Sequence, residues 1–339
     1  MVISDGPLDV RGRRVLVLAK RSAFTHEEEA LASRYLQTYP DLVAQYLPES
    51  PVDNPFSLLI ASNDPVSFAR QYKFNVRPVY DDAPFFFFTL KLGQVLQRSV
   101  EQRIDWKVNL GIAVLAIVLL LSFLAVVGFL IVPLAFAAGG RQQRLLPLVY
   151  FVAIGLGYIL VEITFIQRFV LFLGHPTYAL TVVVFLLLLS SGAGSFLYQR
   201  WLPHISQFRW PFFAILVLLL IYALLLPSLL SSLVGQDFTL KLAISAALLV
   251  PLGFAMGVPF PAGLRALSAT RVVGSPFPES VADSSVEWAW AMNASASVLG
   301  SALAMVIAVR FGLNVTLACG ALAYGLATIL AGTVKPPAQ

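Results

Sequence analysis

Charged side chains inside long apolar stretches are the residues of this sequence that could do chemistry. Glu162 follows Gly155 and Tyr158 at helical spacing, so the three share one face, and Gln167 and Arg168 come just after them. A charged group at membrane depth costs at least about 2.5–3.5 kcal/mol, so we expect Glu162 and Arg168 to face protein or water. Glu162 could accept a proton or bind a cation in a transport path, or be a paired structural carboxylate.

Three further polar residues lie at or near the ends of apolar stretches. His175 sits between a glycine and a proline in a predicted turn, with no second histidine or cysteine at metal spacing, which predicts a surface residue and not a metal ligand. Glu287 and Asn293 flank an aromatic pair, and small residues follow at positions 297–304. These small residues predict close helix packing, with a substrate groove as the alternative.

Known catalytic and cofactor motifs are absent from the sequence. The Gly-x-Gly segments at 155–157 and 192–194 lie in apolar stretches and not after a strand, so neither predicts a phosphate loop. There is no Gly-x-Ser-x-Gly or His-Glu-x-x-His motif. The one cysteine, Cys319, excludes an internal disulfide and a cysteine-based metal cluster in this chain. No catalytic residue, cofactor or metal is predicted here.

Most of the chain is too apolar to be a water-soluble domain. Its 339 residues are 58% hydrophobic and 12% charged, and the mean hydropathy is +0.80. The net charge of +5 is modest and scattered, so nucleic acid is not an expected partner. A bilayer core of about 30 Å needs about 20 apolar residues per helix. Residues 108–339 therefore predict a transmembrane bundle of about seven spans, near 108–137, 146–168, 176–198, 211–233, 239–263, 288–309 and 313–333.

The prolines in 256–263 predict a kink or a broken helix at the end of the fifth span.

Residues 1–107 carry most of the chain's charge and predict a soluble α/β segment. The stretch 13–20 predicts a short buried strand, and Thr25 with Glu28 predicts a capping box that opens a helix to about Tyr39. Asp64 before a proline predicts a second helix to position 71 or 72. One strand and two helices are too few for a complete doubly wound domain, so we interpret 1–107 as the C-terminal fragment of a larger Rossmann-like domain.

Two sets of basic residues predict opposite orientations of the chain in the membrane. Arg98, Arg103 and Lys107, just before the first span, predict a cytoplasmic N-terminal part. Six arginines fall on the opposite side if seven spans alternate: Arg141, Arg144, Arg200, Arg209, Arg265 and Arg271.

Several segments together resemble bacterial membrane-fused spermidine-synthase-like proteins, which are often described as S-adenosylmethionine-dependent methyltransferase-like. Segments 17–25 and 80–87 resemble the end of the catalytic domain in that family. The similar membrane segments are 155–162, 174–180, 256–261 and 290–301. Asp81 and Asp82 match a pair of aspartates near the domain end, although Ala83 stands where the family often has arginine.

The resemblance implies a bacterial inner-membrane protein and the C-terminal portion of a polyamine aminopropyltransferase or methyltransferase-like protein. The nucleotide-binding half, with its glycine-rich loop, has no match in this sequence, so an S-adenosylmethionine-type ligand is expected only for a complete parent protein. The chain alone should not transfer an aminopropyl or methyl group. Its expected partners are the lipid bilayer and an upstream or separate Rossmann-like catalytic domain. The alternatives are a transporter-like bundle for a polyamine or other cation, and a passive membrane anchor.

Overall fold

The computed structural model describes residues 1–8, 13–72, 74–85, 88, 91, 106–132, 145–201, 210–269 and 279–334. Their contacts separate into two units. The first unit contains the chain up to Pro78, and the second contains Val79–Phe88 together with all the long helices. Arg98, Arg103, Arg141, Arg144, Arg209 and Arg271 lie outside the described residues.

In its described residues, the first unit is a small antiparallel sheet with three short helices. Its elements are β1 (Val2–Ser4), β2 (Val15–Val17), α1 (His26–Thr38), β3 (Val43–Leu47), β4 (Ser50–Pro51), α2 (Pro55–Ala61) and α3 (Pro65–Gln71). The strand order is β2-β1-β3-β4, and every pairing among the described strands is antiparallel. Since a Rossmann-like fragment predicts parallel strands, that assignment is not confirmed.

The helices of this unit begin where side chains satisfy their first amides. Thr25 and Glu28 form both hydrogen bonds of a capping box, which confirms the prediction for α1. Asp64 caps α3 with Pro65 in the first turn, also as predicted. The Asn54 side chain caps α2 by accepting from the amides of Phe56 and Ser57. This helix was not predicted from the sequence.

β2 differs from its prediction in one respect. A strand does form within 13–20, but its three residues are exposed, with Val15 at 40%, Leu16 at 56% and Val17 at 62%. The prediction of a buried strand is wrong because β2 is an edge strand and no other described element of the first unit covers these side chains. Buried polar residues lie on β1, β3 and α1 instead. Gln45 of β3 donates to the Ser4 hydroxyl at 2.8 Å, and Asn54 donates to the Gln45 carbonyl at 2.6 Å.

The described residues of the second unit contain seven apolar stretches long enough to cross a membrane, which confirms the predicted transmembrane bundle. Its helices are α4 (Trp106–Val126), which continues as a π-helical turn over Val127–Ile131, α5 (Leu145–Leu173), α6 (Pro176–Trp201), α7 (Trp210–Leu233), α8 (Phe238–Met256), α9 (Pro259–Ala269), α10 (Glu279–Phe311) and α11 (Leu313–Val334). The predicted break of the fifth span is present between α8 and α9. The chain is therefore an integral membrane protein by the length and composition of its helices.

α5 is the central helix of this unit. It packs most extensively against α10 and α11, and also against α6. In its apolar window 67% of the residues are buried, against none for the window in α4, which packs mainly on α10. Glycines permit this close packing: a Cβ on Gly155 would lie 2.5 Å from the Asn293 carbonyl oxygen, and one on Gly157 would lie 3.0 Å from the Tyr324 ring. The polar residues that α5 carries are thus placed among other helices.

Candidate functional site

Arg168 forms a buried polar cluster near the C-terminal end of α5. Its side chain is 4% exposed. The Nη2 atom donates to the Asn314 side-chain oxygen at 2.6 Å and, more weakly, to Asp82 Oδ1 at 3.4 Å. We call Asp82, Arg168 and Asn314 the clasp. The cluster confirms the expectation that Arg168 faces protein, and its Nε atom has no hydrogen-bond partner among the described residues.

Asp82 also forms the N-terminal cap of α11. Its carboxylate accepts from the Asn314 amide at 2.8 Å, and its backbone carbonyl accepts from the Leu313 amide at 2.7 Å. Gly312 has a left-handed φ of +95°, and a Cβ there would lie 2.3 Å from Asp82 Oδ2. Glycine at this position therefore leaves the space that the carboxylate fills. Asp81 is exposed and has no contact in the clasp, so the aspartate pair does not act as a unit.

Glu162 lies on α5 at a different depth from the clasp. It is half-buried, and no hydrogen bond or ion pair joins it to any described residue. Tyr158, one turn earlier, is near enough for electrostatic interaction with Glu162. The Tyr158 hydroxyl is buried close to that of Ser191 but makes no hydrogen bond of good geometry to it or to any other described group. Two polar groups on this face of α5 therefore lack a hydrogen-bond partner among the described residues.

Asn293 and Glu287, which are close in sequence, have different surroundings. Asn293 is half-buried and donates to the Phe151 carbonyl at 3.1 Å, and Ser297 donates to the Gly155 carbonyl at 3.3 Å. Both bonds join α10 to α5 where Gly155 allows close approach, which agrees with the packing interpretation of the small residues. Glu287 is exposed.

His175 is exposed in the turn between α5 and α6. Its Nδ1 accepts from the Thr177 amide at 3.2 Å, so it helps to begin α6. No group of three or more His, Cys, Asp or Glu residues within the described ranges could hold a metal ion. A metal-ligating role for His175 therefore has no geometric support.

A cavity of about 530 Å³ lies between α1 and the β1–β2 edge of the first unit. Its lining is mainly apolar and includes Leu16, Leu31 and Tyr35, which are exposed by 56%, 53% and 61%. Asp5, Arg14 and Glu28 add polar groups. The cavity could not be predicted from the sequence, because it depends on β1, which was not predicted, and on the exposure of β2.

Asn314 is a residue of the clasp that was not predicted from the sequence as a functional residue. It is the second residue of α11, which begins just after the left-handed Gly312. Its side-chain oxygen accepts from Arg168.

Searches against family models, curated proteins and solved structures found no match to this chain.

Proposed function

We propose that the chain is the membrane module of a spermidine-synthase-like protein and that its first unit receives a soluble, Rossmann-like catalytic domain. The observation that carries the proposal is β2, an edge strand whose three apolar residues are all exposed beside the apolar cavity. The free edge of a strand is a template for another strand, and β2 presents three exposed apolar residues at such an edge.

The chemistry of the exposed edge fits a protein partner better than water. Apolar surface removed from water contributes about 25 cal/mol per Å², so covering Leu16 and Val17 would favour association. Arg13, Arg14, Lys20 and Arg21 flank the strand and would give a partner polar contacts around this apolar centre, as protein interfaces commonly do. In this proposal the partner supplies the catalytic groups and the nucleoside site, and the chain supplies anchoring and the docking edge.

The docking proposal is tested by binding a purified soluble spermidine-synthase-like domain to the full chain in nanodiscs. We expect saturable binding that Leu16→Asp weakens at least about tenfold, because a buried unpaired carboxylate costs more than about 1.4 kcal/mol. Leu58→Asp is the matched control, since Leu58 is also 56% exposed but lies on α2, away from β2. Equal binding by the two variants, or none by the unchanged chain, contradicts the proposal.

The same experiment separates docking from a passive anchor. A passive anchor holds a catalytic domain only through a covalent connection, so a separately added domain would not bind it. Titration calorimetry of the chain alone with S-adenosylmethionine should show no saturable heat, because the glycine-rich turn that binds such nucleosides is absent from the sequence. Micromolar binding would contradict the assignment of the nucleoside site to the partner.

We further propose a bacterial inner-membrane location with the first unit on the cytoplasmic side. A catalytic domain that uses an S-adenosylmethionine-type ligand would need this orientation, and Arg98, Arg103 and Lys107 favour it. The six arginines of the opposite loops favour the reverse. Ser22→Cys, made together with Cys319→Ala, puts one thiol at an exposed position of the first unit. A membrane-impermeant maleimide should label it only after cell lysis; labelling of intact cells contradicts this orientation.

A further inference from the structure

Glu162 lies well inside the apolar stretch of α5, too far from either end of that stretch for its carboxylate to reach it. The apolar stretch runs from Leu146 to Leu173. At a rise of about 1.5 Å per residue, Glu162 is about 24 Å from the first end and about 16 Å from the second. A glutamate side chain is much shorter than either distance. The carboxylate must therefore be satisfied inside the bundle or carry a proton there.

The neighbours on α5 show where Glu162 points. Gly155 and Ile159 face α10, because a Cβ on Gly155 would meet Asn293 and Ile159 lies against Gly300. Tyr158 faces α6, where its hydroxyl is close to that of Ser191. With 100° per residue, Glu162 falls between these two directions. The described parts of α6 and α10 scarcely contact each other, so the half-buried carboxylate lies at an opening between them.

Three side chains of this region carry oxygen atoms that can accept hydrogen bonds. Glu162 provides its carboxylate, which no described cation or donor pairs with, and Tyr158 provides a buried hydroxyl without a partner. Ser191 uses its hydroxyl proton on the Leu188 carbonyl at 3.1 Å, so its oxygen lone pairs are left to accept. When Glu162 is deprotonated, the region has one negative charge and two neutral acceptors.

We propose that Glu162, Tyr158 and Ser191 form an intramembrane binding site for a primary ammonium group. Such a group has one positive charge and three donors, which match one carboxylate and two hydroxyl oxygens. A divalent metal ion is a poor match, because calcium takes six to eight oxygen ligands and magnesium six. Binding removes the cost of an unpaired carboxylate at this depth.

The proposal is tested with labelled 1,4-diaminobutane and the full chain in nanodiscs of phosphatidylethanolamine and phosphatidylglycerol. We expect saturable binding that Glu162→Gln weakens at least about tenfold, through loss of a charge-assisted hydrogen bond. Tyr158→Phe should weaken it about fivefold, as expected for a neutral hydrogen bond. Glu287→Gln is the matched control, since Glu287 is exposed on α10, and should leave the affinity unchanged.

Two results overturn the proposal. One is the absence of saturable binding by the unchanged, folded chain up to millimolar amine. The other is an unchanged affinity in Glu162→Gln. If Glu162→Gln does not fold, Tyr158→Phe and Ser191→Ala decide, and equal affinity of both variants and the unchanged chain overturns the site. The docking of a soluble domain on β2 is measured separately, so either proposal can fail alone.

Discussion

The first unit and the helical unit are stabilised by different interactions. In the first unit, short elements are fixed by side-chain caps and by a small buried hydrogen-bond network around Ser4 and Gln45, while β2 stays exposed. In the helical unit, glycines bring helix backbones into direct contact and large aromatic side chains fill the core. In lipid an apolar side chain gains little by leaving its solvent, so close packing must provide the helix association. Removing a side-chain cap should therefore destabilise the first unit, whereas adding a side chain at a packed glycine should destabilise the helical unit.

Replacing Gly312 should have the largest effect. Gly312→Ala places a side chain in a left-handed conformation, which costs about 1–3 kcal/mol, and also displaces the Asp82 carboxylate from the start of α11. Gly332→Ala is the control, because a Cβ on Gly332 meets nothing within 4 Å. Thermal unfolding in detergent should show a lower midpoint for Gly312→Ala only. Equal midpoints would mean that the clasp contributes little to stability.

Two glycines of α6, Gly192 and Gly194, test the importance of close helix packing. A Cβ on Gly194 would lie 2.1 Å from the Phe254 carbonyl oxygen, so Gly194→Ala forces α6 and α8 apart at a cost of about 1–3 kcal/mol. A Cβ on Gly192 meets nothing within 4 Å. Gly192→Ala should leave the unfolding midpoint unchanged or raise it, since alanine favours a helix over glycine. Similar losses in both variants would remove packing as the explanation.

Acid should weaken two helices of the first unit before it affects the third. Hydrogen bonds from Lys20 and then from the Thr25 backbone lower the pKa of Glu28 below 4.5, and those from Ser67 lower the pKa of Asp64 below 3.8. Because both pKa values are depressed by folding, their contribution is present above the ordinary values and is lost as the pH falls through the folded values.

α2 supplies the internal control for acid, since its cap is Asn54, which does not titrate. Hydrogen exchange, corrected for its intrinsic pH dependence, should show lost protection of the first-turn amides in α1 and α3 on acidification. The amides of α2 should keep their protection over the same range. Parallel loss in all three helices would mean that the unit unfolds as a whole and that the two caps do not control its acid response.

Local signals explain which elements could be predicted from the sequence. The spans follow from the length of apolar runs, and α1 and α3 follow from caps within three residues of the first turn. The Pro259 break follows from the missing amide of proline. Asn54 before Pro55 carried the same kind of signal for α2 and was overlooked.

The clasp and the exposed strand depend on contacts that no local pattern contains. The Asp82 carboxylate meets the Asn314 amide across 232 positions, and the exposure of β2 depends on which strand lies at the sheet edge. Glu162 is intermediate: its depth was predictable from hydropathy, but its lack of a described partner depends on how α6 and α10 pack around α5.

The central position of α5 has a consequence for membrane insertion. Two of its polar contacts are with residues synthesised much later: Phe151 bonds Asn293 across 142 positions, and Arg168 bonds Asn314 across 146. During synthesis, Arg168 therefore lacks its hydrogen bond to the Asn314 side chain until α10 and α11 enter the bilayer. Assembly of the core is then a late event, and the insertion machinery or α6 must keep α5 from lipid until α10 and α11 have inserted.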